Sequence, residues 1–134
     1  MKRYQPHPNA PYTILRLYFP HGTPVAGRRG WHRLLGRSLA HELLKAAKAL
    51  GIEQALAFNV TAGYLRGDAL HHGQAEHVAL QHPQCVELID TPDQVARFLH
   101  ECADLLAGVR VLLRDEANQE LAPPPTPSSF PPAP

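Results

Sequence analysis

Cys85-Val86-Glu87-Leu88-Ile89-Asp90-Thr91-Pro92-Asp93-Gln94-Val95-Ala96 passes from a strand into a helix with no spare residue between them. The run Cys85 to Ile89 is short, apolar and rich in branched side chains, which suits a strand of a covered sheet. Thr91 can cap the first helical amides with its hydroxyl, Pro92 fits the first turn, and Gln94 stands where a capping-box side chain reaches back. Downstream, Val95, Phe98, Leu99, Cys102, Leu105 and Leu106 recur at helical spacing, and Gly108 follows as a stop. This helix therefore has one face that wants a core.

Working outward, Thr13, Leu15, Leu17 and Phe19 alternate with Tyr12, Ile14, Arg16 and Tyr18, the period of a strand, until Pro20. Residues 20–37 hold several glycines and arginines around Trp31 and read as a loop; Trp31 with Arg28, Arg29 and Arg33 reads as a packed aromatic rimmed by solvated charge. Ser38 opens a helix whose stripe is Leu39, Leu43, Ala46, Ala47 and Leu50, and Gly51 closes it as a left-handed cap. Gln54 to Asn59 is a short apolar strand, and Thr61 to His77 is polar, glycine-bearing and flexible. Glu76 to Ile89 is expected as one longer strand, bent near His82-Pro83 because proline cannot donate to a ladder. Val109 to Arg114 closes the pattern, with Val109, Val111 and Leu113 on one face and Arg110, Leu112 and Arg114 on the other.

The order strand, helix, strand, strand, helix, strand is that of a ferredoxin-like α+β sandwich: a four-stranded antiparallel sheet with two helices on one face. The other face, lined by Ile14, Tyr18 and Leu112, is left in need of a second cover, for which oligomerisation is the natural solution. The expected organisation is a flexible arm over 1–11, one domain over 12–118, and a proline-rich tail over 119–134 whose composition cannot build a core. A chain of 134 residues, 44% of them hydrophobic, suffices for one modest core.

A net charge of +1 argues against nucleic acid or a membrane surface held by charge alone. Cys85 and Cys102 fall on apolar positions and read as reduced core thiols, and no apolar run approaches a membrane span, so a cytoplasmic location is expected. Gly63, Gly67 and Gly73 do not match a P-loop or a dinucleotide fingerprint. Asp68 beside the histidine pair lacks a nucleophile and a rigid frame, so the chain is not read as an enzyme. Nine histidines are many for this length, and neutral imidazoles suit zinc, copper or nickel. A metal site built from His71, His72 and His77 is the alternative reading, although the spacing matches no closed signature.

The run Leu15 to Tyr18, Gly36-Arg37-Ser38-Leu39, Gly63-Tyr64, His71, and Val86 to Asp90 with Phe98-Leu99 together resemble the DUF190 family of PII-like proteins. The resemblance spans about residues 12 to 116, and Ala57 to Asp90 can be laid on the family pattern without a gap. It implies a ferredoxin-like subunit assembled as a homotrimer with its sheets facing inward, a sensor rather than an enzyme. It further implies a small-molecule effector, an adenine nucleotide such as ATP, ADP or AMP, held in clefts between subunits. A mobile loop after the second strand, the T-loop, would engage a partner such as a membrane transporter. Here that loop is Thr61 to Gln74. Asn59 and Val60 stand where the family commonly has arginine and glycine, and Leu65 stands in place of a second glycine, which removes a phosphate-pairing charge and backbone freedom from the loop base. On this resemblance the ligand-binding candidates are Asn59, Gly63, Tyr64, Arg66, His71, Arg110 and Arg114. Arg66 would restore the charge within the loop, Arg110 and Arg114 would meet an anion across a subunit boundary, and His71, aligned with the family's histidine, would anchor the loop.

Overall fold

The computed structural model describes residues 11–25, 38–72 and 80–116. The elements are β1 (Tyr12–Pro20), α1 (Leu39–Ala49), β2 (Gln54–Phe58), β3 (Ala62–Gly63), β4 (His71–His72), β5 (Pro83–Asp90), α2 (Pro92–Glu101), a 3-10 turn (Ala103–Leu106) and β6 (Arg110–Glu116). Strands β2-β5-β1-β6 lie side by side in that order, every neighbouring pair antiparallel. With its two helices on one face, this is the expected ferredoxin-like α+β arrangement. The arm, the Trp31 cluster, His77 and the proline-rich tail lie outside the described residues.

The junction that opens the domain's second half behaves as its residues demand. Thr91 is the N-cap of α2, its hydroxyl accepting from the Gln94 amide at 3.4 Å, and Pro92 occupies the first turn. Ser38 caps α1 in the same way by accepting from the His41 amide, and Gly51 follows with φ +77°, the left-handed stop. The core then forms from periodicity. Leu15, Leu17 and Phe19 from β1 and Val86 and Leu88 from β5 pack with Leu39, Leu43 and Ala47 of α1 and Val95 and Phe98 of α2, all buried. Burying one such side chain contributes on the order of 2 kcal/mol.

The end of this sealed face is polar. Thr13, fully buried, donates its hydroxyl to Asp115 at 2.6 Å, and the neighbouring Asp90 carboxylate accepts the amides of Glu53 and Thr91 at 2.8 and 2.6 Å. Each of the two Asp90 oxygens is thereby matched by an amide donor.

Five local expectations are corrected. The strand expected from Glu76 begins only at Pro83, preceded by a turn at 80–81. Pro83 has no N–H to extend the ladder, and the carbonyls before it are drawn off sideways: His82 and Leu80 accept from the amides of His21 and Gly22 at 2.8 and 2.7 Å. The second helix does not run on to Leu106. It ends at Cys102 and tightens into the 3-10 turn, with the Leu105 amide bonding the Cys102 carbonyl at 3.0 Å, before Gly108 at φ +77°. Strand β2 stops at Phe58, one residue before the expected Asn59, and β6 reaches Glu116 rather than Arg114, because Tyr12 and Thr13 supply two more pairing positions. Finally, the segment expected as a flexible loop carries a small hairpin, Ala62 opposite His72 and Gly63 opposite His71.

Candidate functional site

The pairing register turns the uncovered face of the sheet into three cross-strand rows. They read Phe58-Cys85-Tyr18-Arg110, Leu56-Glu87-Arg16-Leu112, and Gln54-Ile89-Ile14-Arg114. Leu56, Phe58 and Leu112 are each more than two-fifths exposed. This is the face that sequence periodicity left without a cover, and no described helix of this chain reaches it.

At its centre stands an ion pair. Arg16 Nε donates to Glu87 Oε2 at 2.8 Å, with the arginine side chain half exposed and the glutamate side chain only 10% exposed. Hydrogen bonding to Glu87, and secondarily to Tyr18, holds the Arg16 guanidinium charged more firmly than usual. Beside it a cavity of about 280 Å³ is lined by Ile14, Tyr18, Leu112 and the two arginines Arg16 and Arg114. Arg114 itself is tied to Glu116 through Nε.

The base of the 61–74 segment is built differently. His82, 4% exposed, meets the Val60 carbonyl through Nε2 at 2.6 Å. A carbonyl only accepts, so Nε2 is the donor in this contact. Nδ1 of His82 and Oε1 of Gln84 are buried without a partner among the described residues. Both residues line a cavity of about 190 Å³ together with His21, Phe58 and Asn59. Cys85 and Cys102 are buried and unpaired with each other, and burial is the main cause that pushes both thiols above their usual range.

The sequence candidates fall into two groups. Asn59 lines the loop-base cavity, Gly63 pairs with His71 in the small hairpin, and Tyr64 and Arg66 lie between the two strands of that hairpin. Arg110 and Arg114 sit on β6, exposed on the open face. β2 and β6 are opposite edges of the sheet, so three strand spacings of roughly 4.8 Å, about 14 Å in all, separate the backbone of Phe58, the residue before Asn59, from that of Arg110 in the same chain. His71 and His72 are successive residues of a strand, so their side chains leave on opposite sides, and His77 lies outside the described residues. Among the described residues no group of three or more His, Cys, Asp or Glu is placed to hold a metal, and no helix is long and apolar enough to cross a membrane.

Sequence reading passed over the Arg16–Glu87 pair and the His82–Val60 contact. The first was readable only as an arginine in an apolar strand and a glutamate in another, since which charge faces which depends on register. His82 looked like one more histidine beside a proline.

A search of curated proteins returned no match. Among solved structures, the chain superposes on a protein from Thermus thermophilus described as PII-like and signalling, with TM-score 0.45 and 13% identity over 78% of this chain and 84% of that one. It also superposes on the divalent ion tolerance protein CutA1 from Ehrlichia chaffeensis, with TM-score 0.46 and 15% identity over 83% of this chain and 86% of that one. The sequence model of the DUF190 family, described as "Uncharacterized ACR", matches residues 29–116. That match covers well over half of the chain, which belongs to the DUF190 family, the PII-like family its motifs resemble.

Proposed function

We propose that the protein is a PII-like regulatory protein that self-associates as a homotrimer, senses a small metabolite in the clefts between subunits, and signals through residues 61–74 to a partner such as a transporter. The observation that carries this reading is the division of the candidate residues between opposite edges of a sheet whose intervening face is open. Within one chain the width of the sheet lies between Asn59, which follows β2, and Arg110 and Arg114 on β6. A second copy laid over the open face brings one chain's β6 arginines toward another chain's loop base and buries Leu56, Phe58 and Leu112 in the same step.

The exposed guanidinium groups favour an anionic metabolite, and the apolar wall of Phe58 beside Asn59 suits a flat ring, so an adenine nucleotide is the ligand we infer. Binding rather than turnover is the proposed role.

Sedimentation of the pure protein tests the assembly and calorimetry with ATP, ADP, AMP and cyclic AMP tests the ligand. Trimers that release heat with at least one nucleotide, and lose it on Arg110→Ala, are the expected result. A monomer at every concentration overturns the assembly, and the absence of heat with any nucleotide at millimolar concentration overturns the ligand.

A further inference from the structure

The centre of the open face carries more hydrogen-bonding capacity than one chain uses. A guanidinium offers five N–H donors in a fixed fork. Arg16 commits its Nε to Glu87, and the neighbours that hold its charge are Glu87 and Tyr18. Its side chain remains half exposed, while Glu87 is already largely enclosed. To either side in the same row stand apolar residues, Leu56 next to Glu87 and Leu112 next to Arg16. Any purely apolar cover would strip water from the remaining Arg16 donors and leave them without partners, which is costly for a charged group. A cover that fits must therefore seal apolar side chains at the flanks and deliver a carboxylate at the centre.

A second copy of this chain has apolar flanks of the same kind and, at its centre, a Glu87 side chain that its own Arg16 pair leaves 10% exposed. Its own central row presents Glu87 between Leu56 and Arg16, and its face exposes the same leucines and Phe58. We propose that in the assembled protein Arg16 keeps its own Glu87 through Nε and donates through its outer amino groups to the Glu87 carboxylate of a neighbouring copy, so that this pair fixes the register of one sheet on the next. The cavity bounded by Ile14, Arg16, Tyr18, Leu112 and Arg114 is where the neighbour's row enters. The inference rests on the self-association proposed above and adds the residues that decide which surface is accepted.

Charge reversal with mixing separates a pair that works between copies from one that works only within a copy. A chain carrying Arg16→Glu together with Glu87→Arg keeps an opposite-charge pair within itself and between like copies, but sets like charges against the original chain. Differently tagged original and reversed chains are unfolded together, refolded and resolved by native mass spectrometry. Each is expected to assemble with itself, with mixed species at least tenfold below their statistical share. Statistical mixing overturns the proposal while leaving self-association standing, whereas an original chain that stays monomeric overturns both. Should the reversed chain fail to fold, Glu87→Gln keeps the shape and removes the charge. Its dissociation constant, from sedimentation, is expected to rise tenfold or more and to lose its salt dependence, and an unchanged constant overturns the proposal.

Discussion

The two faces of β1 are made by alternate residues of one strand and meet opposite fates. Thr13, Leu15, Leu17 and Phe19 are at most 1% exposed beneath the helices. Ile14, Arg16 and Tyr18, interleaved with them, lie half-buried or exposed with no described helix of this chain above them. Leucine and isoleucine differ little in hydrophobicity, so composition does not explain the contrast. What differs is the content of each row: the sealed face is apolar until it ends in the hydrogen-bonded Asp90-Thr13-Asp115 row, whereas the open face mixes leucine, phenylalanine and an ion pair at its very centre. A sealed core tolerates charge only at its rim. A surface that must find a specific mate can use charge in the middle.

The sharpest way to break the comparison is to delete one large side chain from each face. Phe98→Ala empties the sealed side, where cavity formation and lost transfer energy together cost about 3–5 kcal/mol. Chemical denaturation should show that loss whatever the protein concentration. Leu112→Ala, on a residue 46% exposed, should cost the isolated chain no more than about 1 kcal/mol. Its main effect is expected in sedimentation, as weaker self-association. Equal losses for the two variants, independent of concentration, would remove the distinction between the faces.

The contrast between the two ends of β5 is the next target. At one end each Asp90 carboxylate oxygen accepts an amide, and at the other the His82 ring has one partner and leaves Nδ1 unmatched among the described residues. His82→Ala severs the hydrogen bond that ties Val60 to the start of the strand and leaves its carbonyl unpaired, at about 1–3 kcal/mol. Hydrogen exchange should then quicken over residues 60–72 while the amides of β1 stay protected. Unchanged exchange there would mean that the hairpin of β3 and β4, rather than His82, holds the loop base.

These sites also mark what was legible in the sequence. Alternation in β1 and β6, the stripes of both helices, and the caps at Ser38, Thr91, Gly51 and Gly108 were readable because each depends on residues close in the chain. The uncovered face followed from counting helices against sheet faces. Cross-strand partners were not readable. Arg16 faces Glu87 across 71 positions, and His82 reaches Val60 across 22, contacts that register and turn geometry create. The late start of β5 was missed for the same reason, since the turn at 20–22 captures the carbonyls of Leu80 and His82. Asn59 and Arg110, taken one by one from the family pattern, gave no sign that the sheet's width separates them.

A smaller perturbation tests whether the strand-to-helix junction is as self-contained as its local chemistry suggests. Thr91→Ala removes a hydroxyl that accepts the Gln94 amide at 3.4 Å, a long and exposed bond, while the Asp90 carboxylate still accepts the Thr91 amide. A loss of about 0.5–1 kcal/mol in denaturation is expected, at the low end for cap residues. Neither the assembly nor any ligand affinity should change. A loss as large as that of Phe98→Ala would show that the cap also positions the helix on the core.

The smallest effect concerns the two thiols, one on each side of the comparison. Cys85 lies in the open-face row with Phe58 and Tyr18, and Cys102 closes the sealed core at the end of α2. Burial raises both above the ordinary thiol value of 9.0, with the nearby Arg16 charge opposing the rise at Cys85 and Glu101 adding to it at Cys102. The folded chain therefore holds these protons at a pH where the unfolded chain has begun to release them. Their contribution to stability is complete below about pH 9 and is lost as the pH climbs from there through the folded values. Comparing stability from pH 8 to pH 10 in the original chain and in Cys102→Ala isolates this slope from lysine and tyrosine titration, which both chains share. The original chain should lose stability more steeply above pH 9, and parallel curves would show that Cys102 is not enclosed enough to resist ionisation. Cys85→Ala should flatten the curve less, because Arg16 already favours that thiolate; an equal or larger effect at Cys85 would mean that the Arg16 charge does not offset its burial.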